Sequence, residues 1–292
     1  MDQIYLKARA KVNLSLEVLE KRPDNYHNLN SIFQKVSLYD EMYLTKTNLS
    51  GITINTNIKQ LNNSNNIIYK AFIKLKDMYK DITGVLVTLK KNIPMQAGMA
   101  GGSTDCASFI IGMNRLFNLN MTKEQIHKLG ASLGADVVPC FYNSATQVEG
   151  IGDKVTRIDT DFKYYIVIIK AKMSCITSEM YKLLDTVERD ILIRDNSKNI
   201  RKALEINNLQ LICDNLYNDF ECAIEPKEKI DNIKQALLES GAKASIMTGS
   251  GSCIFGVFEN KEKAKMAYRK LKKQYESYYA IAHNSKRRIR YD

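Results

Sequence analysis

The chain has 292 residues, 45% of them hydrophobic and 26% charged, with a formal net charge of +11. That length can hold a large core and favours two domains, and the composition is that of a globular protein rather than a disordered or fibrous one. No apolar run approaches the ~20 residues that cross a bilayer. Six scattered cysteines, three histidines and no Cys-x-x-Cys pair argue against a disulfide scaffold or a structural zinc site.

The opening residues form neither a signal nor a transit peptide, so a cytoplasmic protein is expected. Basic residues are densest at Lys261–Lys273 and at Lys286-Arg287-Arg288-Ile289-Arg290. With little aromatic interleaving, they read as a solvated helix face and a basic tail, not as a nucleic-acid or membrane surface.

Period-two alternation predicts two opening strands, Ile4-Leu6-Ala8 and Val12-Leu14-Leu16-Val18. Arg22-Pro23-Asp24-Asn25 is a turn, and Ile32–Leu44 and Ile52–Ile58 are further strands. The polar run Asn62–Asn66 can cap a helix over Ile67–Tyr79. A strand over Val85–Leu89 then leads into Pro94-Met95-Gln96-Ala97-Gly98-Met99-Ala100-Gly101-Gly102-Ser103-Thr104-Asp105, and an apolar helix over Cys106–Phe117 leads out. Thr122-x-x-Gln125 is a capping-box pattern that starts another helix, which Gly134 ends. Gly150-x-Gly152 marks a turn.

The pattern restarts near Asp161 with a buried strand over Tyr164–Ile169. Helices follow near Ser178–Asp190, Asn199–Cys213 and Pro226–Ser240. Ala244–Met247 and Cys253–Phe258 form a hairpin around Thr248-Gly249-Ser250-Gly251-Ser252. A helix over Lys261–Tyr275 and a strand over Tyr278–Ala282 finish the chain. Strands and helices mix without a strict βαβ rhythm, so the fold class is α+β, with domains expected at 1–160 and 161–292.

Glycines before a helix let backbone N–H groups approach an anion, which the helix dipole then favours. The segment is not a Walker loop, since no lysine stands between Gly102 and Ser103, and its glycine spacing is not the dinucleotide fingerprint. On residue type alone, Asp136 is either a turn residue or a functional acid among apolar neighbours, disfavoured by the end of the preceding helix. Lys11 is either an outward-facing strand lysine or a functional cation. Tyr26-His27 is either a surface pair or a base-reading pair.

Ala10-Lys11-Val12-Asn13-Leu14, the Pro94–Asp105 loop, Leu133-Gly134-Ala135-Asp136 and Met247-Thr248-Gly249-Ser250-Gly251 together resemble the three motifs and catalytic acid of the GHMP small-molecule kinases. Tyr26-His27-x-Leu29, Asn218-Asp219-Phe220-Glu221 and the Thr177…Tyr181 pair narrow the resemblance to members whose alcohol substrate carries a cytidine diphosphate. The resemblance runs from Lys7 to about His283.

It implies an ATP- and Mg²⁺-dependent kinase with a nucleotide-binding N-terminal domain and a ferredoxin-like C-terminal domain. Lys11 and Asp136 would be catalytic. Pro94, Gly98, Met99, Ala100, Gly101, Gly102, Ser103 and Thr104 would hold ATP, with Ser103 and Thr104 both candidates for phosphate or metal contact. Asn13, Tyr26, His27, Thr177, Tyr181, Gly249, Ser250 and Gly251 would hold the substrate, the two tyrosines stacking on the base and His27 bonding its edge.

The implied partners are ATP and a small molecule, without nucleic acid or membrane, in a monomer or homodimer. Five positions depart from the family pattern: Asn25 and Asn143-Ser144 stand where glycines are usual, and Val138 and Ser252 where proline is. Members acting on homoserine or mevalonate would have no base for Tyr26-His27 to read. A non-catalytic binding protein would not need Lys11, Asp136 and the glycine loop together.

Overall fold

A computed structural model describes residues 2–189 and 194–285. The basic tail at Lys286–Arg290, and Asp190 at the end of one expected helix, lie outside the described residues.

The chain opens on two long antiparallel strands, β1 (Gln3–Lys21) and β2 (His27–Thr47). The turn between them holds Asn25 at φ 64, a left-handed conformation that asparagine tolerates better than most residues. Sequence alternation suggests two strands where β1 is one. Register shifts between Arg9 and Lys11 and between Asn13 and Ser15 interrupt the alternation without breaking the strand. From Ala10 to Val18 every β1 residue is buried, on both faces of the sheet.

Next come β3 (Gly51–Thr56), α1 (Ile67–Met78) and β4 (Gly84–Lys90). The Asn66 side chain accepts from Ile68 N at 2.9 Å and caps α1, as its sequence suggests. Helix α2 (Gly101–Leu116) starts five residues earlier than the apolar run alone indicates. Helix α3 (Lys123–Ala131) carries the full Thr122–Gln125 capping box, and the one-turn α4 (Val137–Cys140) follows.

Strands β5 (Thr146–Gly150) and β6 (Lys154–Arg157) form a hairpin around the expected turn. These strands build one sheet in the order β3-β4-β2-β1, with β5 on the other stretch of β2.

The second half runs β7 (Tyr165–Lys170), α5 (Thr177–Leu184), α6 (Asn196–Glu205) and α7 (Leu209–Asp214). The single helix expected over 199–213 is two, because Asn207 turns left-handed at φ 56. Then come β8 (Tyr217–Asn218), α8 (Lys227–Glu239), β9 (Ala244–Met247), β10 (Cys253–Phe258), α9 (Lys261–Leu271) and β11 (Glu276–Ile281). The second sheet is antiparallel in the order β11-β7-β10-β9. With its crossover helices this is the ferredoxin-like arrangement. No helix among the described residues is long and apolar enough to cross a membrane.

The two sheets are not separate bodies. Strand β8 pairs in parallel with β1 at Ser15 and Leu16, so the second half extends the first sheet. One core joins Ala10, Val12 and Leu14 of β1 to Ile166 and Ile168 of β7. Asn218 donates to the Met247 and Gly249 carbonyls at 2.8 and 2.9 Å, fixing the β9–β10 turn beside β1.

Candidate active site

A cavity of about 520 Å³ opens where β1, the glycine segment and the β9–β10 turn meet. Residues from both halves line it, from Lys11 to Ser250.

Backbone contact between two loops explains the glycines here. Gly98 has φ 67, and a Cβ on it would lie 1.9 Å from the Thr248 carbonyl oxygen. A Cβ on Gly249 would meet the Gly98 carbonyl at 2.8 Å. Any larger residue would force the loops apart. Ala100 is left-handed and α2 has no side-chain cap. The cavity therefore faces an uncapped first turn at Gly101, Gly102 and Ser103, with open space beside Gly102. Such an N-terminus favours a phosphate.

The structure separates Ser103 from Thr104. Ser103 lines the cavity, whereas Thr104 is buried and donates from Oγ1 to the Arg9 carbonyl at 2.7 Å. Successive residues of a helix point about 100° apart, so the two hydroxyls face different surroundings.

Lys11 is 3% exposed. Its Nζ donates to Asn13 Oδ1 at 2.7 Å and to the Gly98 carbonyl at 2.9 Å, and stands 3.9 Å from Asp136 Oδ2. The Phe33 ring lies 4.5 Å away on another side. Burial lowers the Lys11 ammonium below the usual lysine range, while nearby Asp136 partly restores it. Asp136 remains 43% exposed to the cavity. It is the residue before the one-turn α4, five positions beyond the end of α3 at Ala131. Asn13 is held by Thr248, whose Oγ1 accepts from Asn13 N at 3.0 Å, and by Ser31.

Lys91, which the sequence did not single out, lies under the same turn. Its Nζ is buried between Asp40 and Asp105. Burial works against its charge, but the two carboxylates outweigh that and raise its pKa. Desolvation pushes the Asp105 carboxyl up, and Asp40 adds to the rise. This cluster ties the end of β4 to β2 and α2.

The other wall carries Thr177, Tyr181, Phe220 and Ser250. Thr177 and Ser250 hydroxyls are 3.0 Å apart. Tyr181 stacks on His27, centroids 5.2 Å apart and planes 14° apart, and meets Phe220 nearly at right angles. Burial pushes the Tyr181 phenol up to about 12, with Asp136 contributing, so it keeps its proton at neutral pH. His27 is buried behind Tyr181 and Nε2 bonds Asp185 Oδ1 at 2.7 Å.

Not every expected site residue reaches the cavity. Tyr26 is 59% exposed and lies outside the lining, as do His27, Thr104 and Gly251. A Cβ on Gly251 would point at the sulfurs of Met247 and Cys175 rather than at the cavity. Asp185, Lys91, Phe220 and Thr248 were missed, although Phe220 and Thr248 lie in motifs already noted. A charged residue within a strand end or helix end carries no local signal of its distant partner.

Among the described residues no group of three His, Cys, Asp or Glu side chains could hold a metal on its own.

Comparison with known proteins agrees with this geometry. The GHMP kinase N-terminal domain profile matches residues 66–144, and the GHMP kinase C-terminal profile matches residues 199–277. The 4-diphosphocytidyl-2-C-methyl-D-erythritol kinase of Clostridium tetani is 36% identical over 276 residues, 94% of this chain and 98% of that protein. The enzyme of that name from Acetivibrio thermocellus is 39% identical over 274 residues, 93% of this chain and 96% of its own.

A crystal structure of 4-(cytidine 5'-diphospho)-2C-methyl-D-erythritol kinase superposes with a TM-score of 0.84 at 24% identity, covering 97% of this chain and 100% of that one. Homoserine kinase from Cytophaga hutchinsonii superposes at 0.74 with 18% identity, covering 97% and 95%. Such likenesses show the fold, and the curated relatives show the kinship. The chain belongs to the GHMP kinase family of ATP-dependent phosphotransferases.

Proposed function

We propose that the chain transfers the γ-phosphoryl group of ATP to the 2-hydroxyl of 4-diphosphocytidyl-2-C-methyl-D-erythritol, giving the 2-phosphate and ADP. This is a step of the non-mevalonate route to isoprenoid precursors. The observation that carries it is the meeting, in one cavity, of the uncapped α2 N-terminus with Lys11 and Asp136. The alcohol is the one for which the similar kinases of Clostridium tetani and Acetivibrio thermocellus are named.

Phosphoryl transfer depends on positioning and on neutralising charge more than on covalent chemistry by the protein. Pro94–Ser103 wraps the ATP phosphates, with N–H groups of the first α2 turn as donors. Asp136, exposed to the cavity, orients the substrate hydroxyl and takes its proton. Lys11 holds the Asp136 charge and stabilises the oxygens as charge moves across them. Gly98 and Asn13 fix Lys11 through the bonds at 2.9 and 2.7 Å.

Tyr181 stacks on the cytosine from inside, and Tyr26 reaches it from the rim only by moving from its exposed position. Residues 1–160 are the ATP side and 161–292 the substrate side. Mg²⁺ fits as an ion brought in with the phosphates, since such sites usually pair one or two carboxylates with phosphate oxygens and water. Ser103 and Asp136 are the cavity groups that would hold it, and it would neutralise phosphate charge.

Purified protein should release ADP with the diphosphocytidyl alcohol and not with homoserine, mevalonate or a hexose. Turnover of homoserine alone would overturn the substrate, and no turnover at all would favour a binding protein.

A further inference from the structure

Three buried lysines stand around the start of α2, and two of them are matched by acids. Lys11 lies 3.9 Å from Asp136, and Lys91 is held between Asp40 and Asp105. Lys35 is 2% exposed and pairs with no carboxylate among the described residues. Its Nζ donates to the Arg9 carbonyl at 3.1 Å and to Thr104 Oγ1 at 3.5 Å. The Cys140 thiol is its other polar neighbour, and burial pushes that thiol up, so it stays neutral at pH 7.

Lys35 stands directly opposite Lys11 in the β1–β2 register, so the two side chains leave one face of the sheet. Burial lowers the Lys11 ammonium, and the Lys35 charge adds to the lowering. Both cations therefore act in one shared interior, but only Lys11 has a carboxylate beside it.

A buried charge is costly unless something of opposite sign compensates it. The place for such an anion is one helical turn away. Thr104, which Lys35 touches, directly follows Gly102 and Ser103, which line the cavity. Across a water-poor interior a cation is felt over several ångströms with little screening. We propose that Lys35 is a positioning residue for the nucleotide: its charge, uncompensated within the protein, holds the phosphates through the first turn of α2 without touching them. This rests on the phosphates lying at that turn, as proposed above, and not on the identity of the alcohol.

The test is calorimetric titration of Lys35→Met with adenosine, ADP and ATP, each with magnesium. Methionine keeps the length of the side chain and loses the charge, and the Arg9 carbonyl keeps its Thr104 bond at 2.7 Å. ATP should bind roughly tenfold more weakly, the order expected of one unit charge acting over a partly buried path. ADP should lose less, and adenosine should bind as it does to the parent. Lys80→Met, which removes a charge at an exposed site, should alter none of the three.

Lys35→Gln keeps a donor for the Arg9 carbonyl without the charge, and should bind ATP as weakly as Lys35→Met. A glutamine variant with parent-like ATP binding overturns the proposal, because the hydrogen bond alone would then suffice. So does an equal loss on all three ligands, the mark of a merely structural role. Parent-like ATP binding by Lys35→Met overturns it as well, and Ser103→Ala then tells how far the failure reaches. If Ser103→Ala binds ATP more weakly, the role of Lys35 alone is lost; if it too matches the parent, the placement of the phosphates at α2 is lost with it.

Discussion

At the end of the cleft proposed for the phosphates, the wall is the glycine segment, whose backbone is held by close contact between the Gly98 and Gly249 loops. At the other end, proposed for the base, the lining is side chains, Tyr181, Thr177 and Ser250, with His27 and Asp185 backing Tyr181 from behind. The first end tolerates almost no change of residue size. The second can exchange side chains without moving the chain. Chemistry shared by a family belongs at the rigid end, and choice of substrate at the adjustable one.

Substitutions at the two ends should therefore fail differently. The largest effect is expected at Asp136→Asn, which should lower kcat by about 10²–10⁴-fold, the usual worth of a general base. ATP should still bind, and a kcat near that of the parent would remove Asp136 from the chemistry. Tyr181→Ala should raise KM for the cytidyl substrate by roughly tenfold or more, since stacking on a base is worth about 1–3 kcal/mol. KM for ATP should barely move. Equal rises in both would erase the distinction between the two ends.

The alkaline limb of the pH profile gives a third, smaller measure. Burial places the folded Lys11 pKa below 10.5, so raising the pH discharges it earlier than an ordinary lysine. The limb of kcat/KM, which reports the free enzyme, should fall below pH 10.5 and move upward in Lys11→Arg. A limb at or above 10.5 would mean that Lys11 charge is not required.

Smallest of all is Thr104→Val. It should cost about 1 kcal/mol of stability through the lost Arg9 bond, with KM for ATP unchanged. Ser103→Ala should show the reverse, a higher KM for ATP with stability kept. If Thr104→Val instead raises KM for ATP, the hydroxyl faces the phosphates after all.

Much of this was legible in the sequence because it is local. Asn66 caps its own helix, Thr122 and Gln125 form their own box, and the glycine segment announces a helix N-terminus by composition. Its starting residue was missed because Gly101 and Gly102 are poor helix formers, while tertiary packing extends α2 through them. Lys11 and Asp136 lie 125 positions apart, and only the resemblance to a family joined them.

The face taken by Thr104 follows from the phase of α2, which a misplaced start hides. The His27–Asp185 contact spans 158 positions with no motif to mark it. The family resemblance gives Tyr26 a stacking role, yet Tyr26 stands exposed to solvent.

Strand β1 deserves one further thought. Leu6 sits in the core under α1 and α2, Ala10 to Leu14 in the core shared with β7, and Leu16 and Val18 in a third core with α5 and α8. One strand is thus shared by all three of these cores, and it also carries Lys11. Halves exchanged between related kinases at a join near residue 160 would inherit a β1 fitted to someone else's second sheet. Recombination within this family should succeed only when β1 travels with β7 and β8, which makes the first twenty residues, rather than the midpoint, the true unit of inheritance for the second half.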